Sequence, residues 1–318
     1  MKIGSLCSGY GGLDMAVAQH FDGEAVWFAE NDKSCSKLLN YHWPDIPNFG
    51  DVKFIDWNNV PSCDIMCAGY PCQPFSIAGH RKGSNDERSI IEYIVEGVSH
   101  IQPRILVLEN VQGHLSLGGT DVIGKITSMG YHAKWGIVRA SDTGTAHRRA
   151  RWFCVATHSG SERYGSEQNH RVVGRMGGQA EIFNREAGTS WKESQHRSEK
   201  IKTLADTDSE RLQGPRKERE LGERQGSGDS SRHDDEFENY EFGPYEPAIR
   251  RWTEVIGRNP PEPTDDRGIT PEFVEWLMGL PAGHVTNADL GLSTPAQLKI
   301  LGNGVVPQQA LLALQMLN

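Results

Sequence analysis

One of the six cysteines in this 318-residue chain is set apart by its neighbours. Cys72 lies in Gly69-Tyr70-Pro71-Cys72-Gln73-Pro74-Phe75-Ser76, directly after the apolar run Asp64 to Ala68, and so reads as a loop residue at the end of a buried strand. Pro71 and Pro74 restrict the backbone on either side and would hold the thiol in one direction. A free thiol of pKa ~8.5 is only a few per cent thiolate at neutral pH, yet the thiolate is strongly nucleophilic and nearby arginines would enlarge that fraction. Taken alone, Cys72 would be a small buried hydrophobe. Glu109, in Leu108-Glu109-Asn110-Val111, ends a second apolar run, where a carboxylate is either a helix cap or a site residue. Arg149 and Arg151, two apart at the apparent start of a strand, would share one face with Arg148 opposite; the plain alternative is a salt-bridged surface.

The elements that would position these groups follow from the apolar pattern. As far as about residue 157, short apolar runs alternate with amphipathic stretches, the mark of a βαβ fold. Lys2 to Leu6, Ala25 to Ala29, Asp64 to Ala68, Arg104 to Leu108 and Arg151 to Ala156 read as strands. Ile90, Ile91, Ile94, Val95, Val98 and Ile101 fall at spacings of three and four, the face of a crossover helix. A right-handed crossover there makes the strands before Cys72 and Glu109 parallel neighbours, with both residues at the ligand-binding edge of the sheet.

The first strand leads into Ser8-Gly9-Tyr10-Gly11-Gly12-Leu13-Asp14, whose glycines permit a tight turn and close approach of a ligand to the backbone. Glu30 ends the second strand about twenty residues later, where a carboxylate can accept from both hydroxyls of a ribose. Asp51-Val52, near the end of an expected third strand, would contact an adenine edge. This spacing fits NAD as well as S-adenosylmethionine. The loop is not Gly-x-Gly-x-x-Gly, however, and Asp14 stands close to where a pyrophosphate would need positive potential.

A net charge of -9 argues against bulk attraction to nucleic acid, although a local basic cleft would serve an enzyme that engages one short site. No apolar run suits a membrane span and no signal peptide is evident, so a soluble, cytoplasmic protein with free thiols is expected. Cys63 and Cys67 read as part of a buried strand, not a metal site. Residues 158 to 248 are polar and glycine-rich, either a solvated insertion or an ordered recognition module. Beyond them Phe273, Val274, Trp276, Leu277 and Met278 predict a compact apolar helix ended by Gly279 and Pro281, and Val306 to Leu317 a terminal helix.

In order, these segments resemble the motifs of DNA cytosine-5 methyltransferases of the bacterial and phage type. Ser8 to Gly12, Glu30 and Gly50-Asp51-Val52 resemble the cofactor motifs, Gly69 to Ser76 the nucleophile loop, and Glu109-Asn110-Val111 the catalytic glutamate motif. His147-Arg148-Arg149-Ala150-Arg151 is similar to Gln-x-Arg-x-Arg, and Leu301-Gly302-Asn303-Gly304-Val305-Val306-Pro307 to the final motif. The resemblance implies an α/β, Rossmann-like S-adenosylmethionine-dependent methyltransferase fold with a mostly parallel sheet. Residues 1–157 would form the catalytic and cofactor lobe, 158–296 a target-recognition domain, and 297–318 a segment returning to the first lobe.

It further implies that Cys72, Glu109, Arg149 and Arg151 are catalytic, and that Ser8, Gly9, Tyr10, Gly11, Gly12, Glu30, Asn31, Asp51, Val52, Pro71 and Asn303 bind S-adenosylmethionine. The partner would be duplex DNA, from which one cytosine is flipped. The protein would act as a monomer without metal or membrane, in a bacterial cytoplasm. Cys7, Asn31, His147 and Gly304 depart from the family's usual Phe, aromatic, Gln and Ser. The rivals are a tRNA cytosine-5 methyltransferase, whose Cys-Phe-Thr signature is absent from 158–296, an NAD-dependent oxidoreductase with a structural Cys72, and a catalytically silent DNA-binding regulator.

Overall fold

The computed structural model describes residues 1–71, 89–116, 118–161, 181–182, 240 and 242–318. Cys72, the rest of its loop to Arg88, and nearly all of the polar stretch 158–248 beyond Ser161 lie outside these described residues.

The elements run β1 (Lys2–Leu6), α1 (Gly12–Phe21), β2 (Glu24–Ala29), α2 (Lys33–His42), β3 (Ile65–Gly69), α3 (Ile90–Ile101), β4 (Ile105–Val111), α4 (Gly119–Ser128), β5 (Tyr131–Arg139), β6 (Ala150–His158) and β7 (Glu181–Ile182). After them come α5 (Glu246–Ile256), the short pair β8 (Thr264–Asp265) and β9 (Gly268–Ile269), α6 (Pro271–Leu277), α7 (Thr294–Asn303) and α8 (Pro307–Leu317). The main sheet has the order β2-β1-β3-β4-β6-β5-β7. Pairing is parallel from β2 through β4, and β6 runs antiparallel to both β4 and β5.

Alternate residues of the same strands feed two cores, as expected of a sheet covered on both faces. Met66, Ala68, Leu106 and Leu108 join Tyr93, Ile94 and Val98 of α3 and Ile123 and Ile126 of α4. Ile65, Cys67 and Val107 join Leu13 and Val17 of α1 and Ala310, Ala313 and Leu314 of α8. The terminal helix therefore packs beside the first one. Trp252, Phe273 and Trp276 form a smaller apolar cluster of their own.

Three expectations need correction. The segment near Asp51 forms no strand. It makes a single parallel bridge, Phe28 to Asn48, beside Pro47, which has no N–H to give, and then a 3-10 turn over Val52–Phe54 that the Asp51 carboxylate caps. Glu109 does not end its strand, because β4 continues to Val111 against β6. Arg149 precedes β6 with φ 32, in the left-handed region, so the alternation assumed for Arg148, Arg149 and Arg151 does not hold.

Candidate active site

The carboxyl ends of β1, β2, β3 and β4 open onto one cavity of about 480 Å³, closed from the far side by α7 and the turn that follows it. The cavity begins where β1 stops. Cys7 takes φ 54 while its N–H still donates to Ala29 O, and Gly9 (φ 58) and Gly11 (φ 84) complete a loop that only glycine adopts without strain. The Gly9 N–H donates to Glu30 Oε2 and the Asp32 N–H to Oε1, each at 2.8 Å, which fixes the Glu30 carboxylate at the end of β2. Asn31 Nδ2 donates to Asp51 Oδ2 at 3.1 Å, tying the second strand to the capped turn.

Ser8, Gly9, Gly12, Glu30, Asn31, Asp51, Val52, Pro71 and Asn303 all line this cavity. Tyr10 and Gly11 do not. The Tyr10 ring is fully buried, its hydroxyl donating to Val305 O at 2.6 Å. A Cβ on Gly304 would overlap that ring, which accounts for glycine where the family usually has serine. Cys7 also borders the cavity, but burial and the carboxylates of Glu30 and Asp51 push its thiol up to about 12. It is therefore uncharged at neutral pH.

Glu109 reaches the same cavity from β4. It stands in register with Gly69, whose missing side chain leaves the carboxylate beside the last residue of β3, three positions before Cys72. The carboxyl is buried, and burial raises its pKa to about 7 even though Arg151, at 3.1 Å from Nε to Oε1, and Arg149 both pull it down. Arg151 shares the cavity wall. Arg149 does not line it and donates through Nη2 to the carbonyls of Gly302, at 2.8 Å, and Gly304, so its guanidinium ties the end of α7 to the start of β6. His147 donates from Nε2 to Leu277 O at 3.1 Å, and burial lowers its pKa to about 4, so it is a neutral link to α6.

Several groups outside the expected site residues hold this arrangement. Asn110 Nδ2 donates to Tyr70 O, and the Tyr70 hydroxyl meets His114 Nε2 at 2.8 Å. Both bonds fix the end of β3 just ahead of Cys72. Lys299 pairs with Asp32 at 2.7 Å across the cavity rim. Asp14 is buried on the wall below the glycine loop.

The charges of the cavity bear on which cofactor it fits. Among the described residues, Glu30, Asp32, Asp51, Asp14 and Glu109 supply carboxyls, and the two basic residues of the wall, Lys299 and Arg151, are each paired to a carboxylate. A pyrophosphate needs free positive potential and would find it neutralised here. S-adenosylmethionine carries an ammonium and a sulfonium, and these residues fit it.

A family model for C-5 cytosine-specific DNA methylases matches residues 1–313. The chain belongs to that family. The curated relatives that align with this family member include the type II methyltransferase M.Bsp6I of Bacillus sp. (strain RFL6), 33% identical over 150 residues covering 45% of this chain and 48% of the relative. Type II methyltransferase M.HhaI of Haemophilus parahaemolyticus is 31% identical over 162 residues, or 49% of this chain and 48% of the relative. The orphan methyltransferase M.SPRI of Bacillus phage SPR is 39% identical over 117 residues, or 36% and 27%. The alignments thus span about half the length of these curated relatives, or less.

The crystal structure of the S. pombe Dnmt2 methyltransferase matches 99% of this chain and 98% of that one with a TM-score of 0.59 at 16% identity. At that identity the match concerns the fold, which is the α/β, Rossmann-like one of S-adenosylmethionine-dependent methyltransferases. Among the described residues no helix is long and apolar enough to cross a membrane.

Proposed function

We propose that this protein transfers a methyl group from S-adenosylmethionine to carbon 5 of a cytosine flipped out of duplex DNA, through a covalent bond between Cys72 and carbon 6. The observation that carries the reading is the buried Glu109 carboxyl, beside Arg151 at 3.1 Å and in register with Gly69, three positions before Cys72. Family membership and the DNA methyltransferase names of the aligned relatives support DNA as the substrate.

Carbon 5 of cytosine is a weak nucleophile until the ring gains electron density. The Cys72 thiolate supplies it by adding to carbon 6, while Glu109, protonated near neutral pH, gives its proton to N3 and takes up the charge that develops. Arg151 keeps the resulting carboxylate paired. The bound cofactor supplies an electrophilic methyl on sulfur. With the methyl on carbon 5, loss of the carbon 5 proton to solvent expels the thiolate, and return of the N3 proton to the Glu109 carboxylate restores both the ring and the enzyme. Flipping the base costs a few kcal/mol, which contacts with the recognition region offset.

Glu30 and Asp51 would hold the adenosine, Ser8, Gly9 and Gly12 the methionine end, and Asn303 the far wall, with Arg149 keeping that wall in place. Residues 158–296 would read the target sequence, and the enzyme would act as a cytoplasmic monomer without metal. Transfer of labelled methyl to duplex DNA should be lost in Cys72→Ser. Near-normal transfer by that variant, or transfer to tRNA as efficient as to DNA, would contradict the reading.

A further inference from the structure

Asp14 is buried in the first turn of α1, and its Oδ2 has no hydrogen-bond partner among the described residues. Its Oδ1 accepts from Cys67 Sγ at 3.7 Å, and the nearby Ser5 hydroxyl opposes the rise in its pKa. Burial raises the group to about 6, with the nearby Glu30 carboxylate adding to the rise, so at neutral pH it is mostly ionised, and among the described residues no basic side chain faces it. The amino end of the helix offsets part of the cost of that charge. A buried carboxylate with one bare oxygen still calls for a cation.

A route from Asp14 to the cavity is present. Ser5 Oγ lies 2.7 Å from Ser8 Oγ, and Ser8 is on the cavity wall. A hydroxyl has one proton to give. With the Ser5 proton directed at the carboxylate, Ser8 must direct its own at Ser5, which leaves the Ser8 oxygen with lone pairs only. Among the described residues the other carboxylates of the wall are engaged elsewhere: Glu30 accepts from the N–H groups of Gly9 and Asp32, the Asp32 carboxylate pairs with Lys299, Asp51 accepts from Lys53 and Asn31, and Glu109 faces Arg151.

We propose that Asp14, acting through Ser5 and Ser8, is the buried counter-charge for the α-ammonium group of S-adenosylmethionine. It is a positioning residue for the methionine end of the cofactor, and the proposal rests on the methyl-transfer reading above. A residue that merely stabilised α1 would be indifferent to whether the ligand carries an amine.

The test is calorimetric titration of the full chain with S-adenosylhomocysteine and with its desamino analogue, which lacks only that amine. The wild type should prefer the amine-bearing ligand roughly ten- to a hundredfold, the range of a hydrogen bond to a charged group. Asp14→Asn should bring the preference close to one and leave affinity for the desamino compound unchanged. Ser8→Ala, at the cavity surface, should do the same and carries the test if Asp14→Asn does not fold. A preference that persists in both folded variants overturns the proposal, as does an equal loss of affinity for both ligands. A wild type that binds both ligands equally overturns it while the methyl-transfer reading stands, whereas a wild type that binds neither contradicts that reading itself.

Discussion

Arg151 Nε lies 3.1 Å from Glu109 Oε1, yet the Glu109 carboxyl titrates near 7, above and not below its ordinary value. Burial outweighs the guanidinium. The outcome is a carboxyl that holds its proton near neutral pH with a cation in place to receive the anion left behind, as a proton donor to a ring nitrogen requires.

The rate of methyl transfer should therefore fall as pH rises through about 7, where Glu109 loses its proton. Glu109→Gln should remove that alkaline limb and lower the rate by roughly 10²- to 10⁴-fold while cofactor affinity stays unchanged. Single-turnover rates from pH 6 to 9, compared with calorimetric titration of the cofactor, check both parts.

The same shift has a consequence for stability. A folded-state value of about 7 against 4.5 means that the folded protein binds this proton more tightly than the unfolded chain. The contribution is complete below the unfolded value and is lost as pH rises through 7. Glu109→Gln should thus be close to neutral for stability at acid pH and stabilising above pH 8, by at most about 3 kcal/mol. Urea unfolding of both proteins at each pH measures the difference.

Arg149 and Arg151 should separate in their effects. Arg149→Ala frees the carbonyls of Gly302 and Gly304 and loosens the turn beside Asn303, so it should weaken cofactor binding and lower the melting temperature. Arg151→Ala leaves that turn intact. It should preserve cofactor affinity, cut the rate, and move the alkaline limb upward, since it removes the largest influence holding the Glu109 pKa down. Melting curves with and without S-adenosylhomocysteine, together with pH–rate profiles, distinguish the two.

Much of this arrangement is legible in the sequence wherever burial and periodicity act locally. Lys2 to Leu6 is β1 as read, Ile90 to Ile101 is α3, and β3 and β4 are the parallel neighbours that the crossover requires. What escaped depends on contacts distant in the chain. β5 carries His132 and Lys134 between its buried residues, and its polar positions hid it among the loops. Tyr10 sits in a glycine loop and reads as a ligand contact, but its partner is Val305, 295 positions away.

Arg149 looked like the alternate residue of a strand because a non-glycine residue with positive φ leaves no mark in composition. Asp14 was legible only as a charge unfavourable to a pyrophosphate. The proposed relay from it runs through Ser5 and Ser8, which are ordinary residues until the fold brings their hydroxyls together.

The most direct test of the central claim is bisulfite sequencing of total DNA from a methylation-free bacterial host that expresses this chain. The expected result is 5-methylcytosine within one recurring short sequence, and none when the Cys72→Ser variant is expressed instead. Unmodified cytosine throughout the DNA of cells producing folded wild-type protein would contradict it.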